Sequence, residues 1–448
     1  MKRTGWKKYC ALFLILCGTV GILWLLGGDG QAGEIPQETG SSAPTETASP
    51  APTITPSAAP AATPVPAEDT LLLPQSEKEP EENTMLTGVW VPYMSLTTEE
   101  HTQAAFEENF RRIADSAREK GIRALFVHVR PFCDALYPSK LYPWSHILTG
   151  VQGKDPGFDP LQFMVEYAHD AGMEFHAWIN PLRVKTTENP GELAAENPYA
   201  VLGEESSFYF METESVVCLD PAYPYVRSLV ADGAAEIVEK YDVDGIHFDD
   251  YFYPSQDEDL DSEAYALYTQ GVDDPLPLLE WRKANINAMV QEVYEKVKKA
   301  NPKAVFGISP QGNIENDENM GADVRSWCNL PGYLDYICPQ LYYSFENPAL
   351  GYGEALAQWV SLPKHENLQL YAGLALYKAG TDADSGTWLL SDDIIRRQIE
   401  AAQTAECAGV LLYSSAYLDA EQTAGEMQNA LEVLSPEIAS PAKNAGQE

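Results

Sequence analysis

From Met85 onward the chain alternates strand-like and helix-like segments eight times with almost no break. Short apolar runs fall at 88–93, 122–130, 173–181, 243–250, 303–310, 334–341, 368–374 and 408–414. Each is followed by a segment of helical periodicity, at about 103–120, 160–172, 223–241, 278–300, 321–330, 350–362, 392–405 and 420–434. A long loop separates the third run from its helix. Eight βα units in series predict a closed (β/α)8 TIM barrel of α/β class rather than an open doubly wound sheet. No glycine-rich phosphate loop follows the first run, where a dinucleotide-binding fold would carry one. Helix stops agree with these positions: Lys120-Gly121, Ala171-Gly172 and Asn301-Pro302 each close a periodic segment.

The barrel does not account for the whole chain of 448 residues. Lys2, Arg3, Lys7 and Lys8 precede an uncharged apolar run from Tyr9 to Leu26. About 18 such residues are enough to cross a bilayer, and the basic flank predicts that the rest of the chain is exported. Residues 1–30 therefore read as a signal anchor or a signal peptide. Cys17 has no small residue just before it, so it makes a poor lipidation site. Residues 31–84 are rich in Pro, Thr, Ser and Ala and lack the apolar groups to offset ordering entropy, which predicts a disordered linker. The barrel domain is expected over 85–435 and a disordered tail over 436–448. The net charge of −38 argues against nucleic acid as a partner. Five cysteines fall in the barrel region without zinc-type spacing, and buried free thiols are the expectation. No cofactor is called for.

Chemistry is concentrated at the ends of the strands, where barrels of this kind place their active sites. The fourth run ends in Asp249 and Asp250 followed by Tyr251, Phe252 and Tyr253. Paired carboxylates suit glycosidic bond cleavage, one as acid and one as nucleophile or base, and flat rings suit sugar faces. Strand alternation sends apolar residues toward the helices and the polar set inward. On that rule His128 and Arg130, His176, Trp178 and Asn180, His247 and Asp249, Ser309 and Gln311, and Gln340 and Tyr342 face the axis. Arg130 then becomes a candidate partner of Asp249. The three histidines read as a hydrogen-bonded interior layer, with a metal site as the alternative. Asp249 and Asp250 are the candidate catalytic pair. Asp134, Glu315, Asp317, Glu346 and Asp382 are alternative acids on the rim loops. The expected substrate-binding set is Trp90, Arg130, Trp178, Asn180, Tyr251, Tyr253, Gln311, Gln340 and Tyr342, with no metal ligand among them.

Six ordered motifs carry a resemblance. They are Gly88-Val-Trp90-Val, Phe126-Val-His128-Val-Arg130-Pro131, His176-Ala-Trp178-Ile-Asn180-Pro181, the stretch Asp244 to Pro254, Gly307-Ile-Ser309-Pro310 and Pro339-Gln340-Leu-Tyr342. Together, over about residues 86–416, they resemble the glycosyl hydrolase-like 10 family. The resemblance implies a (β/α)8 barrel on an exported bacterial protein, and glycoside hydrolase activity with peptidoglycan glycan strands as one substrate. It points to Asp249 and Asp250 as acidic site residues, with Arg130, Asn180, Gln311 and Gln340 around them. A glycan-binding barrel without catalysis and a metal-dependent hydrolase or deacetylase are the other classes open to such a chain.

Overall fold

A computed structural model describes residues 85–250 and 252–435. The expectations for the N-terminal anchor, the linker, Tyr251 and the C-terminal tail lie outside the described residues. Among the described residues no helix is long and apolar enough to cross a membrane.

Eight parallel strands close into a barrel: β1 (Leu86–Val91), β2 (Ala124–Arg130), β3 (Glu174–Ile179), β4 (Gly245–Phe248), β5 (Val305–Ile308), β6 (Tyr336–Ile337), β7 (Gln369–Leu374) and β8 (Gly409–Leu412). They are joined in chain order, and β8 pairs back onto β1 with Leu86 opposite Gly409. The main outer helices are α1 (Gln103–Glu119), α2 (Pro160–Asp170), α3 (Pro224–Lys240), α4 (Leu278–Ala300), α5 (Val324–Asn329), α6 (Tyr352–Ser361), α7 (Ile394–Thr404) and α8 (Ala424–Leu434). Local chemistry sets their ends. Thr102 caps α1 through the Ala105 amide, and Asp159 caps α2 ahead of Pro160. Gly121 and Gly172 follow α1 and α2 with φ of 76° and 73°, which only glycine adopts without cost.

Two cores follow from strand alternation. Val127, Val129, Ile246, Phe248 and Ile308 face the helices in the outer core, as expected. The barrel axis is filled mainly by large rings, among them Trp90, Phe126, Trp178, Tyr336 and Tyr371. All five described cysteines are free and buried. The sixth strand is shorter than its apolar run. Pro310 and Pro339 have no N–H to give, so beyond Ile337 the ladder continues only as isolated bridges from Gln340 to Gln311 and Gly373.

The long loop expected after β3 contains a small antiparallel sheet instead. Val216–Leu219 is its central strand, between Arg183–Thr186 and Phe210–Glu212. At three or four residues each, these strands are too short for alternation to mark them in the sequence.

One interior glycine is held by close approach. A Cβ on Gly307 would fall on the Tyr336 ring. That ring cannot yield, because it stacks against Tyr371 at 4.8 Å and its hydroxyl bonds to His247 Nδ1 at 2.8 Å. Gly307→Ala is therefore expected to cost about 3 kcal/mol, as overpacking of a tight core does, read from the urea midpoint. A loss below about 0.5 kcal/mol would show that the Tyr336 ring moves freely.

Candidate active site

The site is built upward from the ring layer. Trp90 donates from Nε1 to His247 Nε2 at 3.0 Å, and His247 meets the Tyr336 hydroxyl through Nδ1. His176 stacks on Phe126 at 4.3 Å, and His128 stacks on Trp178 at 3.9 Å. Burial holds His128 and His247 well below the usual histidine range, so both are neutral. The histidines form the interior layer the sequence suggests. Among the described residues no three His, Cys, Asp or Glu side chains come together as a metal site.

Asp249 tops this layer at the end of β4 and is 4% exposed. Its Oδ2 accepts from Trp178 Nε1 at 3.1 Å and from Asn180 Nδ2. Asn180 also meets His128 Nε2 at 3.3 Å. Two N–H donors converging on one oxygen suit a carboxylate. Asp250, one residue on, is half-buried and has a different setting. Its Oδ1 accepts from Gln340 Nε2 at 3.1 Å, and the same amide donates to Ser309 O at 3.1 Å. Burial pushes the Asp250 carboxyl up, with the Gln340 hydrogen bond and the Arg183 charge opposing. The two neighbours thus sit in different settings, Asp249 accepting two N–H donors on one oxygen and Asp250 pushed by burial toward holding a proton.

The remaining rim acids sort by environment. Asp134 is buried as a loop clamp, accepting from the Phe132 amide and Gln152. Glu315 pairs with Arg325 at 2.7 Å on the surface, and Glu346 and Asp382 are exposed. Asp317 is 2% exposed and accepts from the Gln311 amide at 2.9 Å. Burial first, and the Asp250 charge among the rest, hold its carboxyl well above the usual range.

Trp178 and Asn180 bond to Asp249, Gln340 bonds to Asp250, Gln311 lies beside Gln340 through a backbone bridge, and Tyr342 edges Trp90 at 6.5 Å. Trp90 lies in the floor of the barrel, 2% exposed, rather than on the rim. Tyr342, Tyr377 and Tyr413 form a half-buried aromatic wall, with ring centroids 5.8 to 5.9 Å apart. Tyr413 was not expected, although alternation after inward Leu411 points to it.

Two expected residues sit elsewhere. The ladder of β2 shifts between His128 and Arg130, which brings Arg130 opposite outward-facing Ile179. Its guanidinium lies 4.4 Å over the Tyr142 ring and hard against Gly233 of α3. It is therefore in the helix layer and is not the partner of Asp249. Tyr253 is 3% exposed and packs under Arg282 of α4 at 4.9 Å, so it belongs to the loop core. A cation that the pattern did not offer, Arg183 of the small sheet, lies over the Phe132 ring just after β2. Concavities of about 320 and 310 Å³ are lined by residues that include neither aspartate.

A closed parallel barrel with differently poised acids and rings at the C-terminal ends of its strands has the architecture of a TIM-barrel glycoside hydrolase. The chain belongs to the Glycosyl hydrolase-like 10 family, whose profile matches residues 85–388. Glycosyl hydrolase DigH of Escherichia coli (strain K12) is 32% identical over 365 residues, spanning 75% of this chain and 82% of that protein. Glycosyl hydrolase YngK of Bacillus subtilis (strain 168) is 33% identical over 333 residues, spanning 69% of this chain and 62% of that protein. Solved structures share the fold at much lower identity. The PgaB (BpsB) glycoside hydrolase domain from Bordetella bronchiseptica superposes with a TM-score of 0.50 at 12% identity, covering 78% of this chain and 99% of that one. The catalytic domain of beta-amylase from Paenibacillus polymyxa gives 0.51 at 11%, with the same coverage.

Proposed function

We propose that the protein is a glycosidase that hydrolyses O-glycosidic bonds of a cell-surface polysaccharide, with peptidoglycan glycan strands as its substrate. One observation carries this reading: adjacent carboxyls at the barrel mouth have different settings, Asp249 accepting two N–H donors on one oxygen and Asp250 accepting one amide while burial pushes its carboxyl up. Asp249, held by Trp178 and Asn180, acts as the carboxylate that attacks or stabilises the anomeric carbon. Asp250, half-buried beside the Gln340 amide, protonates the departing oxygen. Trp178, Asn180, Gln311 and Gln340 orient the sugar and the acids, and Tyr342 with Tyr377 and Tyr413 offers ring faces to it. The basic and apolar N-terminal sequence supports export, with the barrel held outside the membrane by its linker.

The test is product analysis by mass spectrometry after digestion of intact and peptide-stripped glycan strands. New reducing ends at one defined linkage support the reading. Binding without release, across peptidoglycan and a panel of polysaccharides, overturns it in favour of a non-catalytic glycan-binding barrel.

A further inference from the structure

The larger concavity, of about 320 Å³, takes no part in the hydrolysis just described. It is lined by the heads of α3 and α4 and by the nine-residue helix Ser262–Gln270. A helix that follows a barrel strand starts at that strand's C-terminal end, so the concavity lies toward the face that carries Asp249 and Asp250. Spacing of four sets Tyr223 and Arg227 on one side of α3, and Trp281 and Asn285 on one side of α4. All four line it. Its wall is preformed. Tyr268 stacks on Trp281 at 5.8 Å, and its hydroxyl accepts from the Leu276 amide at 3.0 Å. Arg227 is fixed by Nη1, which donates to Pro221 O and Ala222 O at 2.9 Å each.

Two polar atoms of this lining are buried and unsatisfied. Tyr223 Oη and Asn285 Nδ2 have no hydrogen-bond partner among the described residues. Such groups are costly to leave unpaired, and folds keep them chiefly where a water or a ligand completes them. The rings also continue beyond the concavity. Tyr223 meets Tyr209 edge-on at 5.0 Å and Phe208 at 5.3 Å, and Tyr209 meets Tyr225 at 5.3 Å. Phe208 and Tyr225 are 37% and 47% exposed, so the ridge reaches solvent. An apolar ligand would match the rings and leave the hydroxyl and the amide unpaired. A compact ion would match the guanidinium and leave the ridge bare. A sugar chain suits both, because its hydroxyls give and take hydrogen bonds and its C–H faces stack on rings.

Resting on the glycosidase reading for the choice of glycan, we infer that this concavity and its ridge form a second glycan-binding site, apart from the two acids. It holds another stretch of the polysaccharide through Tyr223 and Asn285.

The experiment measures binding of soluble peptide-stripped peptidoglycan strands to the full-length chain in an Asp249→Asn background, so that the probe is not consumed. Adding Tyr223→Phe and Asn285→Leu together should weaken binding about 10-fold, the scale of two hydrogen bonds. The urea midpoint should be no lower than the parent's, because two unpaired buried groups have been replaced by apolar ones. With Asp249 intact, the same pair should raise KM on long strands with kcat little changed. Unchanged affinity in the folded double variant overturns the inference, as does a parent that binds no strands. Affinity lost together with a lower urea midpoint gives Tyr223 and Asn285 a structural role and also overturns it. A misfolded double variant hands the decision to Tyr225→Ala on the exposed ridge. There about 3-fold weaker binding, the scale of one ring contact, supports the site and unchanged affinity overturns it. Hydrolysis by the wild type is scored separately, so the glycosidase reading can fail while this site still binds.

Discussion

Asp249→Asn is expected to lower reducing-end release by about 10⁴-fold, the upper range for loss of a group that reacts in the transition state, with glycan affinity changed only a few-fold. Asparagine is nearly isosteric, and its carbonyl oxygen can still accept from Trp178 Nε1 and Asn180 Nδ2. What disappears is the negative charge at the anomeric centre. Initial rates on purified strands, with binding measured in parallel, separate the two effects. Residual activity within about 10-fold of wild type would remove Asp249 from the chemistry. Asp250→Asn should differ in kind. A general acid must carry its proton, and burial raises the Asp250 carboxyl above its ordinary range. Activity should therefore fall as pH rises through that raised value, and this alkaline limb should vanish in Asp250→Asn. Substrates with an activated aryl leaving group need no protonation and should recover most of the lost rate in that variant.

The contrast between Arg130 and Arg183 shows what the sequence can and cannot supply. Alternation agrees with the structure for Trp178, Asn180 and Asp249, because β3 and β4 pair in register to their ends, and for Gln340, whose amide reaches Asp250. It fails for Arg130 because one shift in the β2 ladder turns every later side chain to the other face. Nothing in Val129-Arg130-Pro131 announces that shift. Arg183 was missed for another reason: it sits on a strand of four residues inside what reads as a loop, and its place depends on pairing with Cys218 much later in the chain. Tyr413 was legible, since the rule that places Gln340 also places it. Tyr253 misled because an aromatic residue after a catalytic strand reads as a sugar platform, whereas here it covers a buried ion pair. Residues on barrel strands could thus be read from pattern wherever the ladder stays in register, and residues on loops depended on long-range partners.

That ion pair gives the largest stability effect expected from a single side chain. Arg282 of α4 donates from Nε to Asp261 Oδ2 at 2.9 Å and from Nη2 to Asp261 Oδ1 at 2.5 Å. The same guanidinium reaches Asp257 O at 2.6 Å and Gln256 O at 3.4 Å, so it ties the loop after β4 to the helix layer. Both side chains are almost wholly buried, at 5% and 0% exposure. Asp261→Ala strands the Arg282 charge in that interior and should cost about 3–5 kcal/mol, read from the urea midpoint. Asp220 limits the damage. Burial pushes its carboxyl up to about 7, with the Asp261 charge adding to the rise, so removal of Asp261 lets Asp220 ionise more readily toward Arg282. Asp261→Ala with Arg282→Met should recover at least half of the loss, because a buried pair replaced whole by apolar groups is close to neutral. A cost under about 1 kcal/mol in the single variant, the scale of an exposed pair, would mean that water reaches Arg282. Turnover by the folded fraction should stay within a few-fold of wild type in both variants, because Asp249 and Asp250 are held from β3 and the Gln340 rim rather than from this loop.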